Sequence, residues 1–359
     1  MQSSWPADVR RARDLVLQHG WNATSYQIVN PGIRHWFSSA GDAVAGFIPY
    51  AGFRVVAGAP VCSLERLPEV VSEFESSARA GGQSVCYFCA EARLDGALAG
   101  RASHSRALLG AQPAWHPSRW DAVIRRRSSL RAQLNRARNK SVTIVEYKPE
   151  EAMVSADLER VLARWLKSRG LPPLHFLVEP ATLERLVDRR IFVARHNDPV
   201  AEDPVVAFAV LSPIPARNGW LVEQFPRLPR APNGTIELLL SSAIAAIAAS
   251  GADYVTLGLA PLARRDSIPH WNEPRWLRAV LRFAVLHGNR FYNFKGLESF
   301  KSKFEPEVWE PVYAIQNSPR FSMKALYAIA GAFALRSPLQ LVASALARAA
   351  AQELRWLRN

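Results

Sequence analysis

The stretch YNFKGLESFKSKFEPEVWEP, Tyr292 to Pro311, sets Lys295, Lys301 and Lys303 among aromatic residues and glutamates, with no histidine or cysteine beside them. A lysine is a compact point charge that can hold a phosphate or steady a carbonyl oxygen as it turns negative. Gly296 allows close approach of backbone or substrate, and Asn293, Glu298, Trp309 and Glu310 supply further groups around it. The chemistry that fits is recognition of an anionic substrate. The plainer alternative is a surface loop whose lysines are solvated and paired with Glu298, Glu305 and Glu307.

A second candidate is RAPNGTIELLL, Arg230 to Leu240, a turn through Asn233 and Gly234 that feeds a helix. Free amides at a helix start suit an anion or a developing oxyanion. Glu237, in the first turn, either stabilises the helix start or, in a pocket, binds a cationic amino group.

The third is a run of arginines. Between Arg119 and Lys140 the chain has eight basic residues and one acid, Asp121. Read as one helix opened by Ser118 and Asp121 at capping-box spacing, it puts Arg127, Arg131 and Arg138 on one side, beside an apolar strip of Leu130, Leu134 and Ala137. Such a row of guanidiniums binds phosphates through paired hydrogen bonds, on an RNA backbone or on lipid headgroups. An ordinary solvated face would carry acids at i,i+4 positions, which this one lacks.

Other chemistries are disfavoured. The histidines lack metal-ligand spacing, and no Walker loop or G-x-S-x-G elbow occurs, so no metal is expected. Cys86 and Cys89 match C-x-x-C, but three apart in a strand they should point to opposite faces, as buried core thiols. With Cys62 they form no disulfide framework, which favours a reducing cytoplasm.

The elements that must position these groups alternate between helix and strand. The hydrophobic fraction of 49% supports a sizeable core, and the charged fraction of 21% excludes a disordered chain. A net charge of +14 predicts polyanionic partners, nucleic acid or an anionic membrane. Periodicity predicts helices at Ala7–His19, from Leu67, over the arginine run, from Ala156, from Thr235 and over 273–289. Strands are expected at 43–50, 53–61, 84–91, 142–147, 189–195, 204–211, 219–225, 253–262, 290–294 and 307–315. The class is mixed α/β or α+β, in two similarly ordered halves: 1–148, 149–320, then C-terminal helices over 321–359. Eleven apolar residues from Ala325 to Leu335 are too few to span a bilayer. Beyond Pro338, Leu339, Val342 and Leu346 with Arg348, Arg355 and Arg358 describe a basic amphipathic helix, either lying on a membrane surface or packed on the second half.

Three segments, VTLGLAPLA (255–263), NGTIELLL (233–240) and GNRFYNFKGLESFKSKFEPEVWEP (288–311), together resemble the catalytic region of phosphatidylglycerol lysyltransferases, which use charged tRNA as donor. The N-terminal half, from FRVVAGAPV to SLRAQLNRARNKSV, is also similar. The resemblance implies tandem GNAT-like acyltransferase domains, with the second holding the active site in a tunnel between tRNA and lipid. It implies transfer of an aminoacyl group from a tRNA ester to a lipid hydroxyl, with aminoacyl-tRNA as co-substrate and no other cofactor. On that basis Glu237 takes the α-amino group and Lys295, Lys301 or Lys303 the phosphate or oxyanion. Asn233, Gly234, Gly258, Asn293, Gly296, Glu298, Trp309 and Glu310 line the substrate, and Arg127, Arg131, Arg136 and Arg138 hold tRNA. Members of the family commonly carry Asp at the position of Glu237 and a multi-span flippase domain ahead of the catalytic region. No such domain is seen here, so the expected place of work is the cytosolic face of the membrane. Two other readings are transfer to a peptide or small molecule and a CoA-dependent acyltransferase. For the last, RAPNGT supplies only one glycine of the pyrophosphate loop, one residue late.

Overall fold

A computed structural model describes residues 5–168, 175–178, 182–198, 202–263, 274, 276–277 and 294–334. The first half runs α1 (Ala7–His19), β1 (Arg34–Phe37), β2 (Val44–Tyr50), β3 (Phe53–Ala57), α2 (Leu67–Ala80), β4 (Ser84–Ala90), α3 (Ala92–Ala97) and β5 (Ser105–Trp115). Next come α4 (Trp120–Arg126), α5 (Ser128–Asn139), β6 (Val142–Tyr147), α6 (Pro149–Met153), α7 (Ala156–Lys167), β7 (Arg190–His196), β8 (Val205–Ile214) and β9 (Gly219–Gln224). The chain continues through α8 (Thr235–Ala249), β10 (Tyr254–Thr256), β11 (Ala260–Pro261), α9 (Phe294–Ser302), β12 (Val308–Gln316) and α10 (Met323–Ala334).

Among the described residues all strands join one mixed sheet, ordered β1-β2-β3-β4-β12-β5-β10-β9-β8-β7-β6, with β11 also on β5. The mixed α/β class read from the sequence is the one observed. Two neighbouring pairs are parallel, β3 with β4 and β9 with β10. A parallel pair needs a crossover, and each gets a helix, α2 in one half and α8 in the other. Apolar residues surround α8, and Ile236, Leu238, Leu239, Leu240, Ala243, Ile244 and Ile247 are all buried, so it lies inside the second core and not over it.

The halves exchange strands at the sheet centre. β5 lies against β10 and β11 of the second half, whereas β12 lies against β4 of the first. β5 and β12 pair with each other from Val308↔Ala114 to Gln316↔Ser105.

Three sequence expectations change. The arginine run is not one helix: it breaks at Arg127, whose backbone is extended (φ −100°, ψ 95°). Ser118 does not cap it, because its hydroxyl is 2.8 Å from His116 Nδ1 and Pro117–Arg119 form a 3-10 turn. Nor do Cys86 and Cys89 face apart. A bulge at the β4–β12 pairing, with Cys89 at φ +62°, turns both thiols into the same apolar cluster, as free cysteines. Burial pushes the Cys86 thiol up to about 12.

α10 packs beneath β2 and β3, burying Ala325, Ala328, Ile329 and Ala332 in the first-half core and not the second. Residues 335–359, with the basic amphipathic segment, lie outside the described residues. So do nearly all of the expected helix at 273–289 and residues 290–293 of the strand expected over 290–294, whose last residue, Phe294, instead begins α9.

A buried ionic network ties the halves together. The Arg189 and Glu223 side chains are 1% and 3% exposed and 2.9 Å apart. Arg189 also donates to Asn30 Oδ1 at 3.2 Å and lies 4.8 Å from the centre of the Tyr26 ring. The Tyr26 hydroxyl is 2.7 Å from the Val187 carbonyl, and Arg13 forks onto Asp188 at 2.5 and 2.6 Å. Removing one member strands a charge out of water. Glu223→Ala is therefore expected to lower unfolding stability by about 3–5 kcal/mol. The double change Arg189→Met with Glu223→Leu should cost much less. Urea denaturation of the two variants checks this ordering.

Candidate functional site

α9 places Lys301 beneath the loop that leaves β10. Its Nζ is buried and donates to the carbonyls of Leu257, Gly258 and Leu259 at 2.8, 2.8 and 3.0 Å. The loop turns through Gly258 at φ +69°, a conformation that suits glycine, and the Gly258 amide donates to Thr256 Oγ1. Burial pushes the Lys301 amine down to about 7. The three carbonyls match the three N–H bonds of the charged form and act in the other direction. All three donors are thus engaged by backbone, and Lys301 acts on the site by fixing the shape of residues 257–259.

Lys303 follows in the turn after α9. Its side chain is 44% exposed, and Nζ lies 2.7 Å from Glu237 Oε1. Two residues expected from sequence to serve opposite charges on a substrate are therefore paired with each other. Glu237 sits in the first turn of α8, where the helix dipole favours a carboxylate. Gly234 precedes it at φ +89°, and a Cβ there would lie 2.0 Å from the Gln133 carbonyl oxygen of α5. The arginine-bearing helix is packed backbone-close against the start of α8, and Asn233 is exposed beside that contact.

Residues 304–307 are stitched to the segment after β5. Trp115 Nε1 donates to the Phe304 carbonyl at 2.8 Å, and the Trp120 and Phe304 rings stack at 5.8 Å. Glu305 pairs with both Arg126 and Arg127. Glu307 pairs with Arg119 at 2.8 Å and accepts from the His116 amide at 3.0 Å. The alternative in which these glutamates neutralise the lysines of a surface loop is not what forms. Their partners are arginines, and Lys301 lies on a helix. Arg131, Arg136 and Arg138 are exposed on α5, with Arg131 also capping the end of α4 through the Ile124 carbonyl at 3.1 Å. Arg127, at the break, is set apart from that face.

Glu310 lies elsewhere. It takes a guanidinium fork from Arg217 (Nη1 to Oε2, 3.0 Å; Nη2 to Oε1, 2.5 Å), and accepts from Tyr254 Oη at 2.7 Å and Gln112 Nε2 at 3.0 Å. Tyr254 and Ala114 form one apolar cluster, whereas Val255, Trp115 and Phe304 belong to another. Neighbouring strand residues alternate faces, so the sheet separates Glu310 from Lys303. The Arg217 guanidinium holds Glu310 below the usual carboxylate range. Burial pushes nearby Glu91 up to about 7, although it accepts from the Ala23 amide at 2.7 Å and faces Arg217 at 3.4 Å. Arg217, Glu91, Gln112 and Tyr254 carried no sequence signal, since they lie on four separate segments.

Trp309 is half-buried on β12, and Gly296 and Glu298 are half-buried in α9. Asn293 and the Lys295 side chain lie outside the described residues. Among the described residues no group of three or more His, Cys, Asp or Glu side chains could hold a metal ion, and no helix is long and apolar enough to cross a membrane.

Lys301→Met should strand the three carbonyls, each costing about 1–3 kcal/mol if it stays buried and unsatisfied. Lys303→Met, at a half-exposed ion pair, should cost about 1 kcal/mol or less. The sign with pH follows from Lys301 losing its proton at about 7 when folded, against 10.5 for an ordinary lysine. In that window the unfolded chain binds more protons, so stability should rise with pH from about 7 towards 10.5. Lys301→Met should lack that rise. Urea titrations of both proteins at several alkaline pH values test it. A constant gap between them would show that the carbonyls keep the amine charged.

The comparisons with known proteins bear on this geometry. The phosphatidylglycerol lysyltransferase of Bacillus subtilis (strain 168) is 28% identical over 316 residues, covering 86% of this chain and 35% of that protein. The enzyme of the same name from Staphylococcus aureus (strain COL) is 25% identical over 320 residues. The chain thus spans about a third of the length of these relatives. In structure it is similar to L-PGS from Bacillus licheniformis (TM-score 0.72, 22% identity, 94% and 95% of the two chains). It is likewise similar to a C-terminal domain ascribed to a lysylphosphatidylglycerol synthetase of Agrobacterium fabrum (TM-score 0.75, 23% identity, 91% and 96%). Residues 3–316 match the family described as phosphatidylglycerol lysyltransferase, C-terminal, and the chain belongs to that family.

Proposed function

We propose that the chain is an aminoacyltransferase that moves an aminoacyl group from charged tRNA to a hydroxyl of phosphatidylglycerol. The observation that carries this reading is the Glu237–Lys303 pair at the start of α8, flanked by the arginines of α4 and α5. The names of the relatives, phosphatidylglycerol lysyltransferase, supply the acceptor.

A tRNA ester is already activated, so the reaction needs positioning and charge stabilisation and no nucleophilic side chain. The substrate ammonium takes the place of Lys303 on Glu237. The released Lys303 amine, on a flexible and half-exposed stem, then faces the carbonyl oxygen as it becomes negative. The lipid hydroxyl oxygen bonds to the carbonyl carbon and the bond to the tRNA ribose oxygen breaks. The hydroxyl proton ends on that ribose oxygen, relayed through the neighbouring ribose hydroxyl. Lys301 holds residues 257–259 throughout, and the arginines meet tRNA phosphates. A CoA-dependent reaction is less well supported, because the Gln133 backbone fills the space beside Gly234 where a pyrophosphate loop would need room.

The test combines purified protein, tRNA charged with labelled amino acids and phosphatidylglycerol vesicles, and counts label entering the organic phase. Label should appear there, with transfer reduced about 100-fold in Lys303→Ala and Glu237→Ala. Release from tRNA into water alone would favour a soluble acceptor. No release, with thermal stabilisation by acetyl-CoA, would overturn the reading. Replacing Arg131, Arg136 and Arg138 together with Gln should weaken tRNA binding and flatten its dependence on salt, measurable by filter binding.

A further inference from the structure

Three turns meet at the end of the sheet where β12 finishes. The β2–β3 turn is tied to the start of β4 by the Ser84 amide, which donates to the Gly52 carbonyl at 2.9 Å. The turn between β12 and α10 is tied to the same strand. There the Val85 amide donates to Asn317 Oδ1 at 2.8 Å, and the Asn317 amide to the Val85 carbonyl at 3.2 Å. The third turn, through Gly81, joins α2 to β4. The start of α10 is pinned as well: the Ser322 amide donates to Gln316 Oε1 at 2.8 Å, and Ser322 Oγ accepts from the Ala325 amide at 3.2 Å.

What projects from this rim is apolar and basic together. On α10, Met323 and Tyr327 are four residues apart, on one face, and are 59% and 38% exposed. The Tyr327 ring lies 5.8 Å from that of Tyr50 at the end of β2. Tyr50 in turn rests on α10 at Gly331, where a Cβ would come within 2.1 Å of its ring. Arg320, Lys324 and, in the last turn of α2, Arg79 are exposed at the same rim. No Asp or Glu occurs in 50–54, 79–84 or 317–327, and none of these three basic side chains is in an ion pair among the described residues. One exposed methionine would mean little. Beside two tyrosines and unpaired cations it has the make-up of a membrane-interface surface. Apolar and aromatic side chains enter the headgroup layer there, while lysine and arginine meet lipid phosphates. A nucleic acid would use the cations and leave Met323 in water.

We infer that this rim is a docking surface for an anionic lipid bilayer. It lies at the opposite end of the β5–β12 pair from the arginine run, so lipid there leaves the α5 face open. Leu259, in the loop held by Lys301, packs against the same apolar cluster as α10, which puts the rim and that loop on one core. The inference does not rest on the aminoacyl-transfer reading, and vesicle binding tests it without any transfer.

The full chain carrying Met323→Cys, labelled with a polarity-sensitive fluorophore, is titrated with vesicles. Native Cys62, Cys86 and Cys89 are buried and out of the label's reach. Emission should shift to the blue with mixed phosphatidylglycerol–phosphatidylcholine vesicles and not with phosphatidylcholine alone. The same label at Lys167→Cys, exposed on α7, should not shift. In sedimentation with the mixed vesicles, Arg320→Gln with Lys324→Gln should bind roughly ten-fold more weakly, and Met323→Ser several-fold more weakly. The net charge of +14 gives any anionic vesicle a loose attraction, so the control is a charge-matched pair, Lys167→Gln with Arg195→Gln, both exposed in the second half. It should bind like the wild type. Equal weakening in the control, no vesicle binding, or no shift at position 323 on vesicles that do bind overturns the inference. So does a loss of tRNA binding in the Arg320/Lys324 variant with vesicle binding intact, which would make the rim an RNA surface.

Discussion

The pairing of β5 with β12 is the contact on which the molecule depends. It closes the centre of the sheet, and it fixes what lies at the two strand ends. Because Val308 is opposite Ala114, and the Glu307 amide donates to the Ala114 carbonyl, the residues ahead of β12 lie beside those that follow β5. The lysine turn comes just before β12 and the arginine run just after β5. One register therefore brings together two charged segments that are almost two hundred residues apart in the chain.

Electrostatics then sorts the partners. Both segments are basic, and like charges held this close would repel. Glu305 and Glu307 lie between them and take Arg126, Arg127 and Arg119, while Glu237 takes Lys303. What remains exposed is the α5 face with Arg131, Arg136 and Arg138. The overall charge of +14 is thus neutralised locally where the chain must pack and left open beside the start of α8.

The two halves repeat a strand–helix–strand unit, yet they use its open end differently. In the second, Lys301 reaches across to three carbonyls and fixes the loop that leaves β10. In the first, α3, which follows β4, carries Arg93, whose guanidinium carbon lies 5.3 Å from the centre of the Trp21 ring. The Arg189–Asn30 hydrogen bond, the Arg13–Asp188 fork and the Arg217–Glu91 contact cross between the halves and bind them into one body.

Local sequence determined the elements with strong periodicity. Ala7–His19, Leu67–Ala80, the apolar α8 and strands β7 to β9 follow from side-chain spacing, because burial of one face or of the whole element is written into each. It also marked Glu237, Lys301 and Lys303, since lysines beside aromatics and an acid after a glycine turn are unusual combinations. Tertiary structure decided what each one touches. That Lys301 faces carbonyls and not a ligand, that Lys303 pairs with Glu237, and that Glu310 lies across the sheet with Arg217 all depend on strand register. The break at Arg127 and the bulge at Cys89 arise the same way, from contacts between distant segments that override local preference. Register is set by cross-strand packing over long separations, and spacing within one segment carries no record of it.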